Sequence, residues 1–138
     1  MADLDYIYHD IALTNQFDDA TDFLEAEAPN GDDGDMKFYV GTPNAGKKLV
    51  AASDPGVDDI VVSIVDASPG SGVEASHIKL ALTQSGLNSA SAGASLDIGV
   101  EVAYGSPKEV WYRWSNSVGS DDYTEISLQV AAINEVTA

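Results

Sequence analysis

The chain contains no cysteine and very few basic residues. Without cysteine, no disulfide framework, thiolate zinc site, iron–sulfur cluster or thiol nucleophile can form. Six Lys and Arg residues stand against 23 Asp and Glu residues, which gives a formal net charge of -17. Nucleic-acid phosphates are contacted mainly through Lys and Arg, so no nucleic-acid partner is expected. An anionic membrane surface is disfavoured for the same reason.

Long hydrophobic segments are also missing. A helix that spans a bilayer requires about 18 or more consecutive apolar residues, whereas the longest apolar stretch, Ile60 to Val65, is only as long as a strand. The opening MADLDYIYHD has neither the basic start nor the apolar stretch of a secretory signal. We therefore expect a soluble protein that is synthesised in a cytoplasm.

Negative charge is concentrated in the first quarter of the chain. Residues 1–35 contain 11 acids and no Lys or Arg, whereas residues 36–138 contain 12 acids and all six bases. We predict an acidic N-terminal arm over 1–35 and one domain over 36–138, because 138 residues with 44% apolar content suit a single core. The arm is either a solvated acidic face or a segment that docks on a basic partner.

Apolar residues in the remaining sequence alternate with a period of two, which is typical of β-strands. Turns rich in Gly and Pro separate the alternating runs. We predict an all-β protein with a single antiparallel β-sandwich, Ig-like or jelly-roll-like, of about 7–9 strands. The expected core faces are Met36, Phe38 and Val40; Ile78, Leu80 and Leu82; Leu96, Ile98, Val100, Val102 and Tyr104; and Ile126, Leu128, Val130 and Ala132.

The N-terminal region carries two further local predictions. Residues 16–28 place apolar side chains on one side of a short helix that Pro29 would end. The stretch from Leu4 to Leu13 is predicted as a strand, and a bulge within it would explain why its apolar residues change parity.

Residues 41–48, GTPNAGKK, nearly match the phosphate-binding loop G-x-x-x-x-G-K-[ST]. In that motif a Ser or Thr hydroxyl holds Mg²⁺, and the loop opens a helix. Here the last position is Lys48, and the following residues have the pattern of a strand. We interpret the segment as a hairpin of strand 36–41, a turn at Pro43 to Gly46 and strand 47–52.

No catalytic constellation stands out. His9 and His77 lie outside any nucleophile or metal-helix motif, and 23 acids always allow some pair to be chosen. The loop Asn30 to Asp35 offers oxygen ligands of the kind that Ca²⁺ favours but does not follow the EF-hand spacing. We therefore predict no enzymatic activity, no cofactor and no metal site.

The aromatic run at residues 110–114 allows two interpretations. By alternation, Trp111 and Arg113 face one way while Val110, Tyr112 and Trp114 face the other, and one face is core. Trp, Tyr and Arg are enriched at binding hot spots. Both Trp side chains can instead be buried in the sandwich.

Four segments between Ser76 and Asn134 form a recognisable series: strand Ile78–Leu82, loop Gly93–Leu96, the V-W-x-R strand Val110–Arg113 and strand Thr124–Leu128. In this order, over about 60 of the 138 residues, they resemble small β-sandwich proteins of tailed-phage virions. The resemblance implies a non-enzymatic structural protein, most like a capsid decoration (cement) protein. It would be synthesised in the host cytoplasm and located on the outer surface of the virion.

Such a protein would bridge subunits of the major capsid protein and associate with itself as a homotrimer. A phage tail or head–tail domain and a carbohydrate-binding or adhesin module are the alternatives. The arm is expected to reach the partner, so that deletion of residues 2–14 abolishes particle binding while the sandwich stays folded. The predicted partner-binding residues are Tyr6, Tyr8, Phe17, Phe23, Trp111 and Arg113.

Overall fold

The computed structural model describes residues 6–16, 34–66, 76, 78–114, 126–130 and 133–138. Within these ranges every strand pairing is antiparallel, which confirms the predicted all-β class. No helix in these ranges has the length and apolar character needed to cross a membrane. The strands are β1 (Ile7–Tyr8), β2 (Gly34–Val40), β3 (Lys47–Ala51), β4 (Val61–Asp66), β5 (Ile78–Ala81), β6 (Leu96–Asp97), β7 (Glu101–Ala103), β8 (Lys108–Trp114), β9 (Ile126–Gln129) and β10 (Ile133–Thr137), and a 3₁₀ helix covers Ser85–Asn88.

One layer of the fold is a four-stranded sheet in the order β1-β2-β8-β5. The pair β2 and β8 forms its centre, with Phe38 opposite Val110 and Lys37 opposite Trp111. Side chains of a strand alternate between its two faces. Phe38 and Val110 therefore lie on the inner face, where both are fully buried, while Lys37 and Trp111 lie on the outer face.

The other layer consists of two short ladders that lie end to end. β6 and β7 belong to one run, residues 96–103, which pairs first with β4 and then with β3. β9 and β10 likewise pair with β4 and β3. Ile60 joins the two ladders, because its N–H donates to the Gly99 carbonyl at 2.8 Å and its carbonyl accepts from the Ile98 N–H at 2.9 Å. β3 and β4 therefore act as one central strand, interrupted by residues 52–59.

Residues 52–59 form an exposed excursion from this central strand. The carbonyl of Asp54 accepts hydrogen bonds from the backbone N–H groups of Val57 and Asp58, both at 3.0 Å. The Ser53 hydroxyl donates to the Asp58 carboxylate at 2.9 Å. The excursion is thus closed by its own hydrogen bonds, and Val57 at its tip is 66% exposed.

Both layers bury their inner faces in one hydrophobic core, so the architecture is a sandwich of four strands against three long, interrupted ones. The aromatic rings of Phe38 and Tyr112 lie 5.6 Å apart at the centre of the four-stranded face. Burial of these apolar side chains is the main stabilising contribution. The buried core comprises Ile7, Phe38, Val40, Leu49, Ile60, Val62, Ile78, Leu80, Ile98, Val102, Val110, Tyr112, Leu128 and Val130.

The predicted hairpin over residues 36–52 is wrong, although both of its strands exist. β2 pairs with β1 and β8, whereas β3 pairs with β10 and β7. Residues 41–46 therefore cross from one layer to the other. Alternation along the chain indicates where strands lie but does not specify which strands pair. In this fold β2 and β3 each pair with other strands and not with each other.

Two of the predicted core faces also need correction. β5 ends at Ala81, which leaves Leu82 41% exposed. Gly99, with a φ of 107°, interrupts the run 96–104. Ile98 and Val102 are buried, whereas Val100 and Tyr104 are exposed. A positive φ is a conformation that glycine adopts without steric cost, and here it separates β6 from β7.

Among the described residues of the predicted N-terminal strand, only the two of β1 form a strand. Tyr6 and Leu13 have positive φ values of 71° and 58°, which are incompatible with a continuous strand. Between β1 and Leu13 the chain folds into a turn. Residues 1–5 and 17–33 lie outside the described residues, and with them nearly all of the predicted helix at 16–28 and most of the acidic arm.

Candidate functional site

The outer face of the four-stranded sheet carries two groups of interacting polar and aromatic side chains, which together we call the outer-face network. Glu109 is the centre of the first group. Its carboxylate accepts hydrogen bonds from the Trp111 indole N–H at 3.0 Å and from the Tyr39 hydroxyl at 3.2 Å. The Lys37 ammonium lies 3.6 Å from the same carboxylate and 5.6 Å from the centre of the Trp111 ring, a cation–π distance.

A second part of the network lies at the other end of the same strands. The Arg113 guanidinium donates to both carboxylate oxygens of Asp35, at 2.7 Å from Nε and 3.0 Å from Nη2. Its Nη1 donates to the side-chain oxygen of Asn88 at 2.9 Å. The amide of Gln84 donates to Asp35 at 3.3 Å. Arg113 is therefore fixed in position by β2 on one side and the 3₁₀ helix on the other.

The hydrogen bonds of the network keep its two carboxylates ionised. Those from Arg113, and next from Gln84, hold the pKa of Asp35 below its ordinary value. The indole N–H of Trp111, then the Tyr39 hydroxyl and the Lys37 charge, lower the pKa of Glu109. Hydrogen bonds to the charged form favour that form, so the network persists through the neutral pH range.

The N-terminal turn packs over one end of the outer face. Tyr8, Leu13 and Tyr39 form a small buried cluster there. The Asp10 carboxylate accepts hydrogen bonds from the Thr14 N–H at 3.0 Å and the Asn15 N–H at 2.9 Å. A hydrogen bond from the Thr14 hydroxyl, and next those backbone groups, lower the pKa of Asp10. The Asp10 carboxylate therefore holds the turn in its conformation.

A groove of about 300 Å³ opens where the N-terminal turn, the crossing after β2 and the β7–β8 turn meet. We call it the end groove. Two of its lining side chains, Leu13 and Pro107, pack over Gly41, where an added Cβ would lie 2.9 Å from the Leu13 side chain and 3.0 Å from Pro107 Cβ. The absence of a side chain at Gly41 thus lets these two side chains pack directly against the backbone. The principal lining residues are Ile11, Leu13, Thr42, Pro43, Tyr104 and Pro107.

Thr42 fixes the wall of the end groove. It is 1% exposed, and its hydroxyl donates to the Glu135 carboxylate of β10. The Asn44 backbone N–H donates to the Thr42 hydroxyl at 3.1 Å, and the Asn44 amide donates to Glu135 at 2.9 Å. The hydrogen bond from Thr42, and next those from Asn44, lower the pKa of Glu135. Residues that resembled a phosphate loop therefore bind a carboxylate of their own chain.

The six residues predicted to bind a partner fall into three groups. Trp111 and Arg113 lie together in the outer-face network, partly exposed. Tyr8 is buried in the small outer cluster and Tyr6 packs against the main core, so both have packing roles within the chain. Phe17 and Phe23 lie outside the described residues.

The end groove was not predicted from the sequence. Ile11 and Tyr104 are among the most exposed large apolar side chains in the described ranges, yet both were assigned to strand faces. The parity change before Ile11 and the Gly105-Ser106-Pro107 turn after Tyr104 were the available signals. Neither signal shows that these two turns meet in space.

Among the described residues, no group of three or more His, Asp or Glu side chains is placed to hold a metal ion. Most of the acidic loop at residues 30–35 lies outside the described ranges, and the carboxylate of Asp35 binds Arg113. No family model, curated protein or solved structure matches the chain.

Proposed function

We propose that this chain is a non-enzymatic structural protein of a tailed-phage virion, which decorates the outer capsid surface and bridges neighbouring subunits of the major capsid protein. The observation that carries the proposal is the position of β5, β8 and β9. They fall on three of the segments that resemble virion β-sandwich proteins, within an antiparallel all-β fold. A fold alone does not define a function, so the proposal combines the fold with the resemblance and the charge.

The charge supports a location outside the shell. A protein with a net charge of -17 is repelled by packaged DNA and attracted to basic protein surfaces. Binding to the assembled lattice but not to free subunits stabilises the particle by mass action. Homotrimers on the lattice would add avidity, because each copy increases the effective concentration of the next.

The outer-face network is the contact surface that we assign to this function. Trp, Tyr and Arg are the residues most often found at binding hot spots. Trp111 and Arg113 are held in place by Glu109 and Asp35, so little side-chain freedom is lost on binding. The carbohydrate alternative also uses Trp111, but the Lys37 ammonium occupies one side of its ring.

The test is the composition of purified virions from the culture in which the chain is produced. We expect the chain in heads, at a fixed ratio to the major capsid protein, and absent from separated tails. Adding the purified chain to particles that lack it should raise the temperature at which they release DNA. Detection in tails alone would favour the tail alternative, and absence from the virion would overturn the proposal.

Trp111→Ala provides a test at the level of the residue. The variant is expected to bind particles more weakly by at least about fivefold, the usual effect of truncating a hot-spot side chain. Val57→Ala, on the exposed excursion, is the matched control. Equal binding by the two variants would remove the outer-face network from the proposal.

A further inference from the structure

The end groove exposes apolar surface that the sandwich itself does not cover. Ile11 is 65% exposed and Tyr104 is 50% exposed, and both line the same groove. They come from different turns, more than 90 positions apart in the sequence. Contiguous exposed apolar surface on a folded protein commonly marks an interaction site.

Packing and hydrogen bonds within the chain give the groove its shape. Two of its lining residues, Leu13 and Pro107, pack tightly over Gly41, where an added Cβ would lie 2.9 and 3.0 Å from them. Pro43 and Pro107 contribute rings of fixed backbone conformation, and Thr42 is anchored to Glu135. A preformed concave site loses little conformational entropy on binding. Its volume of about 300 Å³ suits one or two aliphatic side chains and not a large ligand.

Charge determines what kind of segment fits. The carboxylates of Asp10 and Glu135 stand beside two of the contributing segments, next to Ile11 and at Thr42, and Lys108 follows Pro107 at the third. The chain as a whole is strongly acidic, with a net charge of -17. A cationic segment would be attracted by this charge. A cationic partner segment is favoured over a second copy at this site, because a second copy brings charge of the same sign.

We propose that the end groove binds a segment of a partner protein in which aliphatic or proline side chains are flanked by Lys or Arg. The inference rests on the proposed function in one respect: in the virion the segment would belong to a capsid subunit. Bridging two subunits requires two separate contact surfaces. The end groove supplies the second, at one end of the sandwich, in addition to the outer-face network.

The test titrates the full chain with synthetic peptides and follows backbone amide resonances. The probes are acetyl-KLPLK-amide and acetyl-RIPIR-amide, with acetyl-ELPLE-amide and acetyl-KSGSK-amide as charge and apolar controls. We expect saturable shifts around Ile11, Leu13 and Tyr104 with the two cationic apolar peptides only. Shifts elsewhere, equal binding of the acidic control, or no binding of either probe would overturn the proposal.

Two matched variants test the residue assignment. Ile11→Ser and Val57→Ser replace side chains of equal exposure, 65% and 66%, so both should fold. Ile11→Ser is expected to weaken peptide binding by at least about fivefold, and Val57→Ser to leave it unchanged. Equal affinities would overturn the assignment. Self-association that Ile11→Ser abolishes in sedimentation equilibrium would show that a second copy is the occupant.

The virion measurements separate the two proposals. If the cationic peptides bind but the chain is absent from virions, the proposed function fails and the groove assignment stands. If the chain is present in virions and Ile11→Ser is incorporated as well as wild type, while the peptides do not bind, the groove assignment fails and the function stands.

Discussion

Asp35 and Arg113 are directly opposite each other on β2 and β8 and are joined by two hydrogen bonds of 2.7 and 3.0 Å. Their side chains are only 18% and 29% exposed, so water screens the pair less than it would on an open surface. Two bonds to one carboxylate require the planar fork of arginine. The pair therefore fixes β8 against β2 and orients Arg113 on the outer face.

Asp35→Asn should lower the free energy of unfolding by about 1 kcal/mol, because a charge-assisted pair that is partly exposed becomes a neutral contact. Urea denaturation at pH 7 provides the measurement. Asp97→Asn is the control, since Asp97 is exposed on β6, and its effect should be within about 0.5 kcal/mol. Equal effects of the two substitutions would show that the Asp35–Arg113 bonds contribute nothing to stability.

The stability difference between wild type and Asp35→Asn should depend on pH. Arg113, and next Gln84, lower the pKa of Asp35 in the folded state. Ionised Asp35 thus stabilises the fold above the pKa of an unfolded aspartate, about 3.9, and this contribution is lost as the pH falls through the folded pKa. Melting curves from pH 7 down to about pH 2 should show the two proteins converging below about pH 4. A constant gap over that range would contradict the assignment.

Thr42→Val should destabilise the protein by about 1–2 kcal/mol. Without the buried hydroxyl, the Asn44 N–H loses its acceptor and the Glu135 carboxylate loses a donor. Chemical denaturation measures this effect. Thr137→Val, at an exposed position of β10, makes the same chemical change without burial. It is expected to shift stability by less than about 0.5 kcal/mol, and a larger loss than that of Thr42→Val would be the contrary result.

Gly41→Ala should cost about 1–3 kcal/mol, the usual range for overpacking. The new Cβ would lie 2.9 Å from the Leu13 side chain and 3.0 Å from Pro107 Cβ. The substitution should cost less in a Leu13→Ala background, because one of the two collisions is removed. Thermal unfolding of wild type, Gly41→Ala, Leu13→Ala and the double variant tests whether the two effects are coupled. If the two losses of stability simply add, the new Cβ does not collide with Leu13.

Ile7→Ala should cost about 2–4 kcal/mol, as expected for a large-to-small change in a core. Ile7 is 0% exposed and belongs to the main core, although it lies within the predicted arm. Ile11→Ala, four residues later but 65% exposed, should change stability by less than about 0.5 kcal/mol. If so, deletion of residues 2–14 removes core and cannot test binding alone. Equal stability of the two variants would show that Ile7 contributes nothing to the core and that the N-terminal segment can be removed without unfolding the sandwich.

Alternation along single strands could be read from the sequence. It separated Val110 and Tyr112 from Trp111 and Arg113, and the structure identifies the first pair as core. Pairing between strands could not be read in this way. β2 and β3 are adjacent in sequence but belong to different layers, because the partners that cover them come from distant segments. A two-residue period carries no information about those partners.

The candidate site was predictable to a similar extent. The sequence places Trp111 and Arg113 on one face, because residue type and alternation are properties of one strand, and their role in binding stays a prediction. The end groove could not be predicted, because it forms where three connecting segments meet in space. It also depends on the absence of a side chain at Gly41, over which Leu13 and Pro107 pack. The burial of Tyr8 cannot be read from the sequence for a related reason. An aromatic residue in an acidic segment has the composition of an exposed anchor, but Tyr39 and Leu13 cover it here.

The excursion at residues 52–59 leaves the central strand after Ala51, which pairs with Ile133 of β10, and returns at Ile60, which is hydrogen-bonded to Ile98 and Gly99. Both Ala51 and Ile60 are buried. Its own hydrogen bonds close it, and its side chains face water. Exposed loop tips of this kind tolerate inserted sequence. A foreign peptide placed at Gly56 would therefore leave the two layers undisturbed. In the proposed decoration role, with many copies on one particle, this loop would present that peptide as a dense, regularly spaced array.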